Sequence, residues 1–192
     1  SLSEKQNQRC MKMKQPYQIH SDFFKKMIAS GWYENREIIL HSLPAHLEEL
    51  PDDVKKFLRE IWYLTVSYDA YYRSNDRIFL STVLHSFGET TNALVDYSLD
   101  DEDFNFYQKS IGKRLRNFGF ADNREILIDE LGRIYFIPDS GDLYYLGGKF
   151  YEGLYNLIFR TGKSYIVGDD GELFVESEEG ISSGNINIRD TE

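Results

Sequence analysis

The sequence predicts an α+β fold: a mostly antiparallel, twisted sheet with helices packed on it, and a helix first in chain order. Three observations carry that expectation. Segment 126–150, ILIDELGRIYFIPDSGDLYYLGGKF, alternates apolar and polar residues and turns at glycine, with aromatics on nearly every second position, the pattern of strands joined by hairpins. Val54, Phe57, Leu58 and Ile61 recur at i, i+3, i+4 and i+7, an apolar helical stripe. The 192 residues, 41% apolar and 15% aromatic, suffice for one domain with a substantial core and are too few for two.

Residues 1–18 are polar and basic and read as a frayed, flexible segment. HSDFFKKMIASGW reads as the first helix: Ser21 or Asp22 caps it, Phe23, Phe24, Met27 and Ile28 form its apolar face, and Gly31 stops it. Trp32 follows the stop, where it can fold back onto that face. NREIILHSL has the apolar, β-branched look of a short strand or extended lead-in. In LPDDVKKFLREIWYL, Pro51 suits the first turn of a helix and Asp52 and Asp53 favour its positive end. LTVSYDAYY and RIFLSTVLHSFG alternate like two antiparallel strands around a turn at RSND. DDEDFNFYQKSIGKRL opens with acids and continues at helical spacing through Phe104, Tyr107 and Ile111. EILIDELGRIYFI reads as strand, turn at Gly132, strand, and GDLYYLGG as a further strand. KFYEGLYNLIFRTG is the last clear helix, with Phe150, Leu154, Leu157 and Ile158 on one face and Gly162 as its stop. SYIVGDDGELFVESEEG reads as a hairpin turning at Asp170-Gly171. ISSGNINIRDTE reads as a polar tail with a weak strand signal at INI. The expected organisation is a basic segment 1–18, a domain over 19–162, and an acidic extension 163–192 carrying a β-hairpin.

The formal net charge is −10, from 32 acidic and 22 basic residues. Such a chain repels nucleic-acid phosphates and anionic membranes, and suits either solubility or a basic partner. The charge is uneven: 163–192 holds eight acids against Lys163 and Arg189. Cys10 is the only cysteine, so no intrachain disulfide is expected, in keeping with a reducing cytoplasm. No apolar run reaches the roughly 18 residues of a membrane span, and the N-terminus lacks the apolar stretch of a signal peptide.

Catalytic and cofactor motifs are weak. His20, His41, His46 and His85 lack zinc-ligand spacing. Cys10 sits in a basic tail that does not hold the geometry of a nucleophile. GGKF at 147–150 lacks the earlier glycine and the following Ser or Thr of a phosphate loop. KSIGKRLRNFGF gathers Lys109, Lys113, Arg114 and Arg116 near Phe118 and Phe120, which suits single-stranded nucleic acid, but the acids just upstream favour a solvated helix face. Acids cluster at helix starts and turns, more like a binding surface than a catalytic pair. No catalytic residue, metal or cofactor is expected.

Several segments, in order, resemble the third subfamily of the SUKH superfamily, whose members are bacterial immunity proteins. SGWYENREI (30–38) is similar to its early signature through Gly31, Trp32 and Arg36. LPDDVKKFLREIWYLTV (50–66) resembles its second helix running into a strand; where the family carries a Gly pair before the leucine, Trp62-Tyr63 stand here. SFGETTNALVDYS (86–98) and IGKRLRNFGFADN (111–123) resemble later segments. The best match is 126–158: apolar strand, Asp-x-x-Gly turn, aromatic strand, Leu-Gly, amphipathic helix. The resemblance covers roughly 20–162.

It implies a scaffold with an exposed surface that binds and neutralises a toxin, commonly a nuclease or another nucleic-acid-directed enzyme, without catalysis. Gly31, Trp32, Arg36 and Gly132 are then fold-defining, while toxin-facing residues vary with the toxin and are not carried over. Acid density and turn position nominate Asp100, Asp101, Glu102, Asp103, Asp139, Asp142, Asp169, Asp170 and Glu172 as a surface for a basic cognate toxin. The expected protein is cytoplasmic, binds neither nucleic acid nor membrane directly, and has an oligomeric state the sequence leaves open. The alternatives are a non-catalytic regulatory or scaffold domain of the same superfamily and a carboxylate-based hydrolase.

Overall fold

The computed structural model describes residues 12–38, 43–88 and 102–191. Among them, nine strands form one open antiparallel sheet whose spatial order is the order of the chain. The strands are β1 (Thr65–Ser74), β2 (Arg77–Phe87), β3 (Leu115–Ala121), β4 (Arg124–Asp129), β5 (Arg133–Phe136), β6 (Tyr144–Lys149), β7 (Tyr165–Val167), β8 (Glu172–Ser177) and β9 (Gly180–Asn187). The helices are α1 (Pro16–Ile19), α2 (Ser21–Ala29), α3 (Ala45–Glu48), α4 (Asp52–Ile61), α5 (Glu102–Ile111) and α6 (Phe150–Ile158), followed by a 3₁₀ turn at Ile188–Asp190. The α+β class expected from the sequence is the class observed.

Period-two alternation sends side chains of the central strands to both faces, and both are buried. Ile126, Ile128 and Ile134 pack against α2, α4 and α6 through Met27, Phe57, Leu58 and Leu154. Leu127 and Tyr135 point the other way, into a smaller core completed by Phe104 and Ile111 of α5, Leu173 of β8 and Ile188. Burying about 25 cal/mol per Å² of apolar surface on each face makes this double cover the main source of stability.

Several local expectations hold. Val54, Phe57, Leu58 and Ile61 are all fully buried along α4. The β1–β2 hairpin turns at Asn75-Asp76, both at positive φ (49° and 58°), as a two-residue turn between twisted strands requires. Trp32 folds back, its N–H bonding Met27 O at 3.0 Å and its ring meeting Phe24 edge-on.

Others are corrected. The segment read as a solvated helix face is helical only as far as Ile111 and becomes strand β3 from Leu115, because Gly112 (φ 70°) turns the chain. Its two arginines are engaged: Arg116 bonds His46 O and Gln108, and Arg114 pairs with Glu130. The tail read as polar with a weak strand signal at INI is strand over a longer stretch, β9, pairing along β8 from Glu172↔Asn187 to Ser177↔Gly180. Helix α2 is capped not by Ser21 or Asp22 but by His20, whose ring accepts Asp22 N–H at 3.1 Å. Ile28 is not on the buried face of α2 but 47% exposed. The left-handed residue that ends α6 is Arg160 (φ 49°), two positions before Gly162. Residues 36–38 of the expected lead-in carry no strand, and 39–42 lie outside the described residues, as do 89–98 of the segment compared above.

Candidate functional site

The residues singled out as fold-defining hold two buried polar clusters. Gly31 (φ 99°) turns the chain after α2 so that Trp32 enters the core. Trp32 Nε1–H donates to Tyr151 O–H at 2.9 Å, and Tyr151 donates in turn to Glu60 Oε2 at 2.7 Å. Burial and the neighbouring Glu60 push the Tyr151 hydroxyl well above its ordinary value. Arg36 caps the end of α4, its Nη1 donating to Glu60 O at 3.0 Å and Trp62 O at 2.8 Å, which satisfies carbonyls a helix end leaves free. Tyr63 holds a left-handed backbone that a glycine adopts freely (φ 62°).

The second cluster forms around the Asp129-x-x-Gly132 turn. Asp129 and Arg133 are 0% and 1% exposed, and Arg133 Nε–H reaches Asp129 Oδ2 at 2.5 Å. The same carboxylate accepts Leu131 N–H, Arg133 N–H and the Tyr135 hydroxyl. Arg133 Nη1 donates onward to Ile188 O at 2.6 Å and to Thr191 O and Oγ1, which ties the C-terminal segment beneath the central hairpin. At Gly132 (φ 86°) a Cβ would fall 2.5 Å from Cζ of Phe150.

A groove lies beside α5, on the face of the sheet that holds the smaller core. Helix α5 presents Asp103, Phe106, Tyr107 and Ser110 along one face, and opposite lie Gly141, Asp142, Leu143, Val167 and Asp169. The cavity between them measures about 240 Å³. Arg189 fixes the end of α5, donating to Ser110 O at 3.0 Å and Lys109 O at 2.9 Å. The 168–171 turn is seated close by: a Cβ on Gly171 would lie 2.9 Å from Ser110 O. The Tyr107 hydroxyl donates to Gly141 O, joining the two walls.

Three of the nominated acids therefore meet here from three separate segments: Asp103, Asp142 and Asp169. All are exposed, and none forms an ion pair with a described residue. Asp170 extends the same turn tip into water. Glu102, also exposed, precedes Asp103 on α5 and does not line the groove. Glu172 is exposed on β8 and accepts the Ser183 hydroxyl at 2.6 Å. Asp139 is engaged elsewhere, in a two-point pair with Arg124 (2.6 and 3.0 Å) whose hydrogen bonds and charge hold its carboxyl below the usual range. Asp100 and Asp101 lie outside the described residues.

Phe106 and Tyr107 were not singled out as binding residues. Phe106 is 48% exposed beside these acids. The signal was in the sequence: 103, 106, 107 and 110 are spaced i, i+3, i+4, i+7, a face of α5 that shares Tyr107 with its core stripe.

A carboxylate-based hydrolase needs two carboxyls converging in a cleft with separated pKa values. Burial raises the Glu60 carboxyl, which shares a cavity of about 490 Å³ with Glu34 and Asp53. Its Oε2, however, takes the Tyr151 hydroxyl, and Glu34 Oε1 lies 3.4 Å from the Tyr17 hydroxyl, while Lys14 and Lys56 line the same space. No three His, Cys, Asp or Glu side chains gather as metal ligands among the described residues, and no described helix is long and apolar enough to cross a membrane.

A family model described as SUKH-3 immunity protein matches residues 20–160. No curated protein and no solved structure matches the chain. The family match runs from the start of α2 past the end of α6, takes in both buried clusters apart from their C-terminal contacts, and stops before β7. With well over half of its length matched in this way, the chain belongs to the SUKH-3 immunity protein family.

Proposed function

We propose that the protein neutralises a basic, nucleic-acid-directed toxin domain by covering its working cleft with the acidic groove beside α5. The observation that carries this reading is the meeting of Asp103, Asp142 and Asp169, unpaired and exposed, around Phe106 and Tyr107. A toxin that grips phosphates displays cations. Carboxylates spaced over a rigid face substitute for those phosphates and steer the encounter. Aromatics among them supply the desolvated anchors on which protein interfaces depend. Inhibition is by occlusion, with no bond made or broken by this chain and no cofactor, and the protein acts in the cytoplasm of the cell that makes it. Asp170 and Glu172 extend the acidic face; Asp139 contributes only by giving up Arg124.

The test pairs this chain with its cognate toxin domain, sought first among the genes beside its own. The triple reversal Asp103→Lys/Asp142→Lys/Asp169→Lys is expected to slow association at low salt by about tenfold or more and to flatten its salt dependence. It should also abolish rescue of cells co-expressing the toxin. An unchanged association rate and salt slope would rule out the acidic-face mechanism.

A further inference from the structure

A third cavity, of about 440 Å³, has the opposite electrostatic character to the acidic groove and no part in it. Its walls are apolar: Val83, Ala121, Phe136, Leu146 and Leu157, contributed by β2, β3, β5, β6 and α6. Most of its polar lining is already satisfied internally. Asn156 Nδ2 donates to Leu146 O at 2.7 Å while its Oδ1 accepts the Thr161 hydroxyl, Tyr144 donates to Glu176, and Arg124 is held by Asp139. His85 is 3% exposed and bonds Val66 O through Nδ1. A carbonyl only accepts, so Nδ1 carries the proton. Burial lowers this ring to about 4, with the Arg160 charge acting in the same direction, so it is neutral at physiological pH and offers an anion no charge.

Two cations remain. Arg160 and Lys163 line the cavity, are exposed, and form no ion pair with a described residue. Arg160 also holds a left-handed backbone (φ 49°) where glycine or asparagine would rest without strain. Strain kept at a charged cavity-lining residue points to use of its side chain. We propose that this cavity binds a small amphipathic anion, its apolar body among Val83, Leu146 and Leu157 and its carboxylate or phosphate held by Arg160 and Lys163. The volume lies within the usual range of small-molecule sites, and an apolar lining with a few convergent charges is their usual make-up. The alternative role for these cations is to offset the negative end of α6, which requires no ligand.

The experiment uses the full chain and 8-anilinonaphthalene-1-sulfonate as a fluorescent probe anion, displaced by octanoate, octyl phosphate or octyltrimethylammonium. The inference requires saturable binding of one probe, displacement by octanoate or octyl phosphate, and poor displacement by the cation; the stronger of the two anions identifies the headgroup. Arg160→Gln/Lys163→Gln changes only exposed side chains and should weaken the anion roughly tenfold. Octanoate should shift the methyl resonances of Val83, Leu146 and Leu157. The inference is overturned if the double variant binds as tightly as the native chain, if octyltrimethylammonium competes as well as octanoate, or if the shifted methyls lie elsewhere. Absence of saturable probe binding overturns it too and leaves Arg160 and Lys163 serving the α6 terminus alone.

Discussion

Replacing Arg133 by methionine keeps an apolar chain of similar reach and removes the charge. In the native protein the guanidinium is 1% exposed, sits 2.5 Å from Asp129 Oδ2, and donates to Ile188 O, Thr191 O and Thr191 Oγ1. The variant leaves the Asp129 carboxylate buried without its cation and strands acceptors on the C-terminal segment. Removing one partner of a buried pair costs about 3–5 kcal/mol. Asp129 keeps the Leu131 and Arg133 N–H groups and the Tyr135 hydroxyl, which places the loss toward the lower end. For a chain of this size each kcal/mol corresponds to about 2–4 °C, so a loss of about 3–4 kcal/mol should lower Tm by roughly 6–16 °C in a calorimetric or circular-dichroism melt. Hydrogen exchange separates a clamp from general loss: Ile188 N–H, bonded to Gly171 O at 2.8 Å, should open more than the global change requires. Removing both charges while keeping an acceptor for the Leu131 and Arg133 N–H groups, as Asp129→Asn/Arg133→Met, should restore part of the stability. A single variant melting within about 2 °C of the native protein, or a double variant less stable than the single, refutes the reasoning.

At Gly132, alanine must accept a φ of 86° and drive its methyl into Phe150; urea denaturation should show a loss of about 2–4 kcal/mol, part of it recovered by Phe150→Leu. Burial raises the Glu60 carboxyl above its ordinary 4.5, against the lowering effect of the Tyr151 hydrogen bond. The folded state therefore holds this proton more tightly than the unfolded chain, and the group's contribution, full below the ordinary carboxyl value, is lost as pH rises through the folded one. Glu60→Gln removes that loss, so paired urea titrations should show its stability relative to the native chain improving from about pH 4 to about pH 7. A pH-independent difference contradicts the raised pKa.

The larger elements were legible where one physical signal dominated. Helix α4 followed from a four-residue stripe, and the β4–β5 hairpin from alternation broken by Gly132. Strand β3 was hidden because its Lys-Arg-rich lead-in continues the polarity of α5, and only the left-handed turn at Gly112 separates them. Strand β9 carries only the weak signal at INI: it is an edge strand open to water on most of its length, so neither face selects apolar residues. The single-turn helices α1 and α3 are too short for periodicity to appear. The individual acids of the groove were visible as solvent-facing, but their convergence was not. Asp103, Asp142 and Asp169 become neighbours only through the packing of α5 against a loop and a turn more than 30 residues away.

Because spatial neighbours in the sheet are also successive strands, a chain leaving the ribosome can add each ribbon to the growing edge as it emerges, at little loop-closure cost. One step escapes that vectorial order. The guanidinium of Arg133 has no carbonyl to receive it until Ile188 and Thr191 have been translated, more than fifty residues later. A nascent intermediate thus carries a solvated guanidinium edge where the folded domain has a sealed interior, and synthesis of the turn at Ile188–Asp190 is what closes it.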